Sequence, residues 1–183
     1  MFEFIADRPV LDFVATVAER RRTRNDQLRS PQDLTAWVAQ SGLVDDPVPV
    51  DADGFGRAVA LRESAFVLLE GLIDGTGPDR EALTVVHAAA AGPPLTLRVD
   101  ERGRLHRQGD LDAVLTELAR DCLGLFGSPD RQALHWCADA ECTRPFVDRS
   151  RGQRRRWCGM KGCGDRAKAA AYRQRLRSGG PSV

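Results

Sequence analysis

Four cysteines near the end of this chain are the residues whose type and spacing could do chemistry. Cys137 and Cys142 are separated by four residues, fifteen residues follow, and Cys158 and Cys163 are again separated by four. Two cysteine pairs at about this separation are typical of a zinc site in which four thiolates bind Zn²⁺. Cysteines that merely fill a core are the alternative, but these four lie among arginines and glycines. The spacing therefore predicts bound zinc.

Such a site would be structural. Four thiolates complete the tetrahedral shell of Zn²⁺ and leave no position for water or substrate, which argues against zinc-dependent hydrolysis. His135 lies close to the first pair and could replace a ligand, although four cysteines already suffice. A segment of about 50 residues buries little core, so we expect the metal to supply much of its folding free energy.

No set of residues in the rest of the chain has the spacing of a catalytic site. His87 and His106 stand alone in the sequence. Asp12, Glu19 and Arg22 could line a pocket, but a solvent-exposed helix face explains them equally well. We therefore expect no enzyme, and a pocket with converging charged groups would be needed to revive that hypothesis.

Charge divides the chain into two parts. Residues 1–130 hold 14 Lys and Arg against 22 Asp and Glu, a net charge of −8, whereas residues 131–183 hold 13 against 4, a net charge of +9. Such asymmetry predicts two domains with different partners. Four thiolates with one Zn²⁺ account for only two of the positive charges in the second part. Its remaining positive charge is suited to phosphate contacts.

The predicted partner of the basic domain is double-stranded DNA. The residues that we expect to contact it are Arg154, Arg155, Arg156, Arg166, Lys168 and Arg173. An acidic partner protein, or the acidic part of the chain itself, is an alternative target for these charges. A zinc-stapled RNA-binding or protein-interaction module is another, although the aromatic residues that RNA binding would use are expected mostly in the core. These aromatic residues are Trp136, Phe146, Trp157 and Tyr172.

The order of elements in residues 131–183 resembles a treble clef. The first cysteine pair closes a tight knuckle, residues 144–148 can pair with residues 154–157 as a hairpin, and a helix runs from about Cys163 to Arg177. We expect Ala169, Tyr172 and Leu176 to form the apolar strip by which this helix packs inward. The helix N-terminus would stabilise the neighbouring thiolates.

Residues 1–130 are predicted to be rich in helix, with one β-hairpin, which gives an α+β fold class for the chain. Hydrophobic spacing and capping residues indicate helices over 10–22, from Pro31 to a stop at Gly42, over 55–74, from Pro78 to 91, and after a cap at Asp110. The last helix would bury Cys122. Residues 44–53 are predicted to form a loop, and residues 95–99 and 104–107 a hairpin with Gly103 in its turn.

The chain resembles a known pair of bacterial domains. Residues 146–151, 155–160 and 163–168, with the motif Cys163-Gly164-Asp165-Arg166, resemble the CGNR zinc finger. Leu11-Asp12-Phe13-x-x-Thr16-Val17, Asp33-Leu34-x-x-Trp37 and Gly42-Leu43 are similar to the ABATE domain that accompanies this finger. The resemblance covers nearly the whole chain, and the finger motif is the more specific of the two.

This resemblance implies a stress-related transcription regulator with Cys137, Cys142, Cys158 and Cys163 as zinc ligands. Two positions depart from the family pattern. Asp165 replaces the asparagine for which the finger is named; an acid there would weaken a DNA contact but would cap a helix equally well. Ala15 stands where the front domain usually carries asparagine, which weakens any polar ligand role of that position.

The combined interpretation is a two-domain DNA-binding regulator. The front domain, residues 1–130, would sense a small molecule or mediate homodimerisation, and the finger, residues 131–183, would bind DNA. No apolar run approaches the roughly 20 residues that span a bilayer, and residues 1–10 do not resemble a secretory signal. We therefore expect a cytoplasmic protein without membrane contact, in which the thiols stay reduced.

Overall fold

The computed structural model describes residues 2–139 and 141–178, which fold into five helices with two short antiparallel pairs, followed by a small cysteine-rich unit. The elements of the first part are α1 (Pro9–Val14), β1 (Val17–Ala18), β2 (Asn25–Asp26), α2 (Pro31–Ser41), α3 (Ala52–Asp74), α4 (Arg80–Ala90), β3 (Thr96–Val99), β4 (Leu105–Gln108) and α5 (Leu111–Gly127). After a 3₁₀ turn at Pro129–Ala133 come β5 (Leu134–Trp136), β6 (Pro145–Val147) and α6 (Asp165–Ser178). The α+β fold class is confirmed.

The long helix α3 is the centre of the first part, and α1, α2, α4 and α5 all contact it. Its buried face includes Leu61, Ala65, Leu68 and Leu69. This spacing recurs every three to four residues, as expected for a helix with one face in a core. Phe13 and the fully buried Trp37 lie with ring centroids 5.0 Å apart at the end of the core formed by α1 and α2.

Four helices begin with the same capping arrangement. The side chains of Ser30, Asp51, Asp79 and Asp110 each accept a hydrogen bond from the backbone N–H three residues later, at the starts of α2, α3, α4 and α5. These bonds satisfy N–H groups that have no partner within the helix. The predicted caps at Ser30 and Asp110 and the stop at Gly42 are confirmed, and α4 begins after Asp79 rather than at Pro78.

The predicted helix over residues 10–22 is wrong beyond Val14. There the hydroxyl of Thr16 donates to the carbonyl of Phe13, and the fully buried Val17 pairs with Asp26 as part of β1 and β2. Glu19 has a left-handed backbone, with φ at 53°, which no α-helix accommodates. Tertiary pairing of β1 with β2 thus overrides the helical spacing.

The β3–β4 hairpin is confirmed, with Val99 opposite Leu105 and Gly103 in the turn at a φ of 76°. The hairpin predicted in the finger is wrong: β6 pairs with β5, not with residues 154–157. The reason is Asp148, whose carboxylate accepts the backbone N–H groups of Ser150 and Arg155 and so holds that segment as a loop.

The helix α6 differs from the prediction in its packing. Tyr172 is 58% and Leu176 is 62% exposed, and Ala169 is exposed as well, so the expected apolar strip does not pack inward. From Asp165 to Arg177 only Ala167 is half-buried. No helix in residues 2–139 and 141–178 combines the length and the apolar character needed to cross a bilayer.

Candidate metal centre and nucleic-acid interface

Four sulfur atoms converge at the junction of the last elements. Cys137 follows β5, Cys142 precedes β6, Cys158 lies in the loop beyond, and Cys163 lies in the turn before α6. Their Sγ atoms all lie within 4.8 Å of one another, and all four residues are buried. The first pair sits on the β5–β6 connection, where the Cys137 N–H donates to the carbonyl of Arg144 and closes the knuckle.

The separations of the sulfur atoms fit tetrahedral zinc. Zinc–sulfur bonds of about 2.3 Å at tetrahedral angles place the sulfur atoms about 3.8 Å apart. The Sγ atom of Cys158 lies 3.7 Å from that of Cys142 and 3.8 Å from that of Cys163. The donor set and the geometry therefore suit Zn²⁺, which would connect the knuckle to the start of α6 and take no part in a reaction.

The four thiols share their protons unequally. Hydrogen bonds from Cys142 and Cys158 lower the pKa of Cys137 to about 2. The hydrogen bond with Cys137 raises the pKa of Cys142, and burial raises the pKa of Cys163 to about 12. Four thiolates this close repel one another unless a cation compensates them. Zinc binding must therefore displace protons from the cluster.

One backbone N–H and one guanidinium donate hydrogen bonds to sulfur atoms of the cluster and orient these ligands. The backbone N–H of Cys158 donates to Cys137 Sγ at 3.4 Å. The guanidinium of Arg166, on α6, donates to Cys163 Sγ at 3.1 Å. Between the second pair of ligands, Gly162 adopts a φ of 91°, a conformation that side-chain-bearing residues rarely take, so the tight return from Cys158 to Cys163 requires glycine here.

Two protein-family models match the chain in succession. The ABATE model, described as "Putative stress-induced transcription regulator", matches residues 7–129, and the CGNR zinc finger model matches residues 134–176. The chain belongs to the ABATE family. No curated protein matches it. The converging cysteines are thus the zinc site of the CGNR finger, and neither of the two family descriptions names an enzymatic activity.

The finger is joined to the ABATE domain by specific contacts. The indole of Trp136, on β5, packs on Phe66 of α3 at a centroid distance of 5.7 Å and donates to Asp74 Oδ1 at 2.9 Å. Leu134 and Val147 belong to the same buried cluster as the ABATE core. The β5–β6 pair is therefore anchored on α3.

Part of the finger's positive charge is compensated by the ABATE domain. Arg144 pairs with Glu3 at 2.5 Å, and Arg149 pairs with Asp130 at 2.9 Å. A pair of the opposite sense joins Arg22 of the ABATE domain to Glu141 of the knuckle. The acidic part of the chain is thus a genuine partner for some of these arginines, although not for most of them.

The structure separates the six basic residues expected at DNA into two groups. Arg154, Arg156, Lys168 and Arg173 are exposed. Arg155 is half-buried: its guanidinium lies 4.6 Å from the ring centroid of Phe146, and it donates to the carbonyls of Ile5, Trp157 and Cys158. Arg166 is 58% exposed, yet its guanidinium is bonded to Asp139 and to Cys163. The second group therefore holds the finger together.

Of the other residues singled out by the sequence, Glu19 lines a cleft beside the cysteine cluster, whereas the histidines, Asp12 and Cys122 do not converge on a site. His87 and His135 are exposed, and His106 pairs with Asp100 at 3.0 Å in the β3–β4 hairpin. Asp12 is buried and accepts the backbone N–H groups of Ile5 and Ala6, so it holds the N-terminal segment rather than lining a pocket. Cys122 is fully buried, as expected of a core residue.

Two structural residues escaped the sequence prediction. Arg62 is fully buried on α3, bonds both carboxylate oxygens of Asp26 and donates to Thr16. Its spacing from Ala65 and Leu69 places it on the buried face of α3, which is the signal that could have found it. Asp139, which anchors Arg166, could have been suspected because it is an acid inside a basic segment, between two zinc ligands.

Proposed function

We propose that the chain is a DNA-binding transcription regulator, in which the finger contacts DNA through Arg154, Arg156, Lys168 and Arg173. The observation that carries the proposal is α6, a basic helix that is fixed at its first turn beside the zinc site and exposed along its length. Residues 165–177 hold five basic residues and one acid. A polar helix without a packed face is suited to a contact with a partner.

The ordering of α6 supports the same proposal. A helix of 14 residues is marginally stable in isolation. Since α6 buries almost nothing against its own chain, a bound partner that neutralises its charge would stabilise it. Phosphates do so through Lys and Arg, with affinity that falls steeply as salt rises. Arg155 and Arg166, which the protein itself binds, act in this proposal by positioning the four exposed residues.

The test is fluorescence anisotropy of a labelled DNA duplex, titrated with the zinc-loaded protein at a series of salt concentrations. We expect a steep linear decrease of log affinity with log salt. A variant should have a shallower slope of log affinity against log salt when alanine replaces Arg154, Arg156, Lys168 and Arg173. The slope should decrease by about 0.9 for each phosphate that the variant no longer neutralises. The matched control replaces four exposed arginines of the ABATE domain, Arg80, Arg98, Arg102 and Arg104. Binding that is insensitive to salt, or equally weakened in both variants, would overturn the proposal.

RNA binding is the second candidate, and one observation favours it. Tyr172 is 58% exposed in the middle of α6, where a base could stack on its ring. Competition between the duplex and a single-stranded RNA of equal length decides between the two. If RNA displaces DNA at lower concentration, and Tyr172→Ala abolishes that advantage, the finger is an RNA-binding module.

The ABATE domain would act as the regulatory part. In this proposal it senses a small molecule or mediates dimerisation and so modulates the finger. The contacts of Trp136 with Phe66 and Asp74 support such a role, because they connect the β5–β6 pair to α3. Analytical ultracentrifugation of the zinc-loaded chain tests the dimer.

A further inference from the structure

The ABATE domain has an open groove between α3, α4 and α5. Its volume is about 580 Å³, within the range of about 300–1,000 Å³ that is typical of small-molecule sites. The walls are mainly aliphatic: Ala60 and Leu61 come from α3, Val85 and Ala88 from α4, and Leu115 from α5. Small alanines on two facing helices create the space, because larger side chains there would fill it.

The polar groups in the walls of the groove are already bonded within the protein. The hydroxyl of Thr84 donates to the carbonyl of Arg80, and the hydroxyl of Thr116 donates to that of Ala89. Neither hydroxyl hydrogen is therefore available to a ligand. A molecule that enters the groove must match it by apolar surface, since burial of apolar area is the main gain that the walls offer.

The rim of the groove is acidic at the end near Asp112. Arg57 and Asp112 pair across its mouth at 2.8 Å, and both are exposed. They also line an adjoining depression that contains the carboxylates of Asp51 and Asp110. At this end three carboxylates and one guanidinium leave an excess of two negative charges, whereas further along α5 the guanidinium of Arg120 donates to the carbonyl of Gly92 in the groove wall. The electric field of an exposed charge extends about 10 Å at 0.1 M salt. A ligand in the groove lies within the reach of these charges.

We propose that this groove is a binding site for a lipophilic cation, a compact apolar molecule with one positive charge that lies toward Asp112. As an effector site this assignment rests on the proposed function, whereas as a binding site it is independent of DNA binding. The helix α3 contributes Ala60 and Leu61 to the groove and, further along, Phe66 and Asp74 to the contact with Trp136. A ligand in the groove therefore touches the helix that carries the finger.

The test uses two probes of nearly equal size and shape but opposite charge, tetraphenylphosphonium and tetraphenylborate. Isothermal titration calorimetry with the full-length, zinc-loaded protein should show saturable binding of the cation, at least tenfold tighter than that of the anion. Equal affinity for both probes, or tighter binding of the anion, would overturn the proposal, because the acidic rim would then not select the ligand.

Variants locate the binding. Ala88→Phe, at an exposed position of α4, fills the groove and should weaken cation binding at least tenfold; Ala60→Phe, from the facing wall, should do the same. His87→Phe, an exposed neighbour outside the groove, should change nothing. Asp112→Asn should lower the affinity about fivefold, as expected for one charge at about 4 Å in water, whereas Glu101→Gln in the β3–β4 turn should not. Unchanged affinity in both groove-filling variants would place the probe elsewhere.

Two further measurements separate the possible failures. If sedimentation shows a dimer that Ala88→Phe and Ala60→Phe both dissociate, the groove belongs to a second copy of the chain and the small-molecule assignment is wrong. Duplex binding is measured in parallel. If the wild-type protein binds the cation but no duplex, the proposed function is wrong and the groove remains a binding site. If it binds the duplex but not the cation, only the groove assignment is wrong.

Discussion

Arg166 and Asp139 join the helix α6 of the finger to its zinc knuckle. Nε and Nη2 of Arg166 lie 3.0 and 2.7 Å from Asp139 Oδ2, and Nη2 also donates to Cys163 Sγ. The hydrogen bond with Asp139 raises the pKa of Arg166 above its usual value. Since α6 packs against little else, this contact and the ligand Cys163 fix the direction in which the helix leaves the zinc site.

Replacement of Arg166 should therefore affect zinc before it affects DNA. In Arg166→Ala the thiolate of Cys163 loses a charged donor, and loss of an outer partner of this kind typically weakens metal binding by about 10–100-fold. Zinc transfer to a colorimetric chelator measures the effect. Arg173→Ala, the matched change on the same helix, should keep zinc at wild-type affinity and weaken duplex binding. Equal zinc release from the two variants would contradict the positioning role.

The four cysteines of the cluster should differ from Cys122 in their reactivity toward thiol reagents. Burial raises the pKa of the Cys122 thiol to about 12, so very little thiolate forms there at neutral pH. With zinc bound, we expect no rapid reaction with a disulfide reagent. After chelation the four ligands should react, and Cys122 should follow only upon denaturation. Mass spectrometry of the labelled peptides identifies the sites, and rapid labelling of Cys122 in the native protein would contradict its place in the core.

The ion pair of the buried Arg62 with the half-buried Asp26 should contribute to the stability of the ABATE domain. Arg62→Ala leaves Asp26, whose side chain is 25% exposed, without its bidentate partner. The loss of one partner of a fully buried pair costs about 3–5 kcal/mol, and we expect about 2 kcal/mol here because water reaches Asp26. Arg57→Ala, on the same helix, removes the exposed pair with Asp112 and should cost less than about 1 kcal/mol. Urea unfolding of both variants measures the difference, and similar costs would show that Arg62 is not isolated from solvent.

Acidic pH should stabilise the fold through Asp12. Burial raises the pKa of this carboxyl from 3.8 to about 6, against the opposing effect of hydrogen bonds from Ala6 and Ile5. The folded state thus binds the proton more tightly than the unfolded state. The contribution of Asp12 to stability is complete below about pH 4 and is lost as the pH rises through 6, a change of roughly 3 kcal/mol.

Asp12→Asn tests this pH dependence because the amide keeps the acceptor oxygen and cannot ionise. The free energy of unfolding of the variant, measured relative to wild type, should increase between pH 4 and pH 6 and stay constant above about pH 7. Other titrating groups, including the zinc ligands, are present in both proteins and cancel. Parallel pH profiles for the two proteins would rule out the raised pKa.

The sequence by itself determined the features that depend on local chemistry. The four zinc ligands follow from residue type and spacing, and the caps at Ser30 and Asp110 follow from side chains that can accept the first free N–H groups of a helix. The separation of an acidic from a basic part is likewise a property of the chain. These features depend either on residues that are close in sequence or on a metal ion that only a few sets of donor atoms can bind.

Only the tertiary structure decided which residues are buried and which partners they bind. Six basic residues look alike in the sequence, yet the ring of Phe146 and three carbonyls bind Arg155, whereas Arg154 and Arg156 remain exposed. The strip of Ala169, Tyr172 and Leu176 has the spacing of a buried face but meets no core. The pairing of Arg62 with Asp26 and the groove of α3, α4 and α5 arise only from packing. Burial and pairing depend on groups far apart in the chain, and no local pattern encodes them.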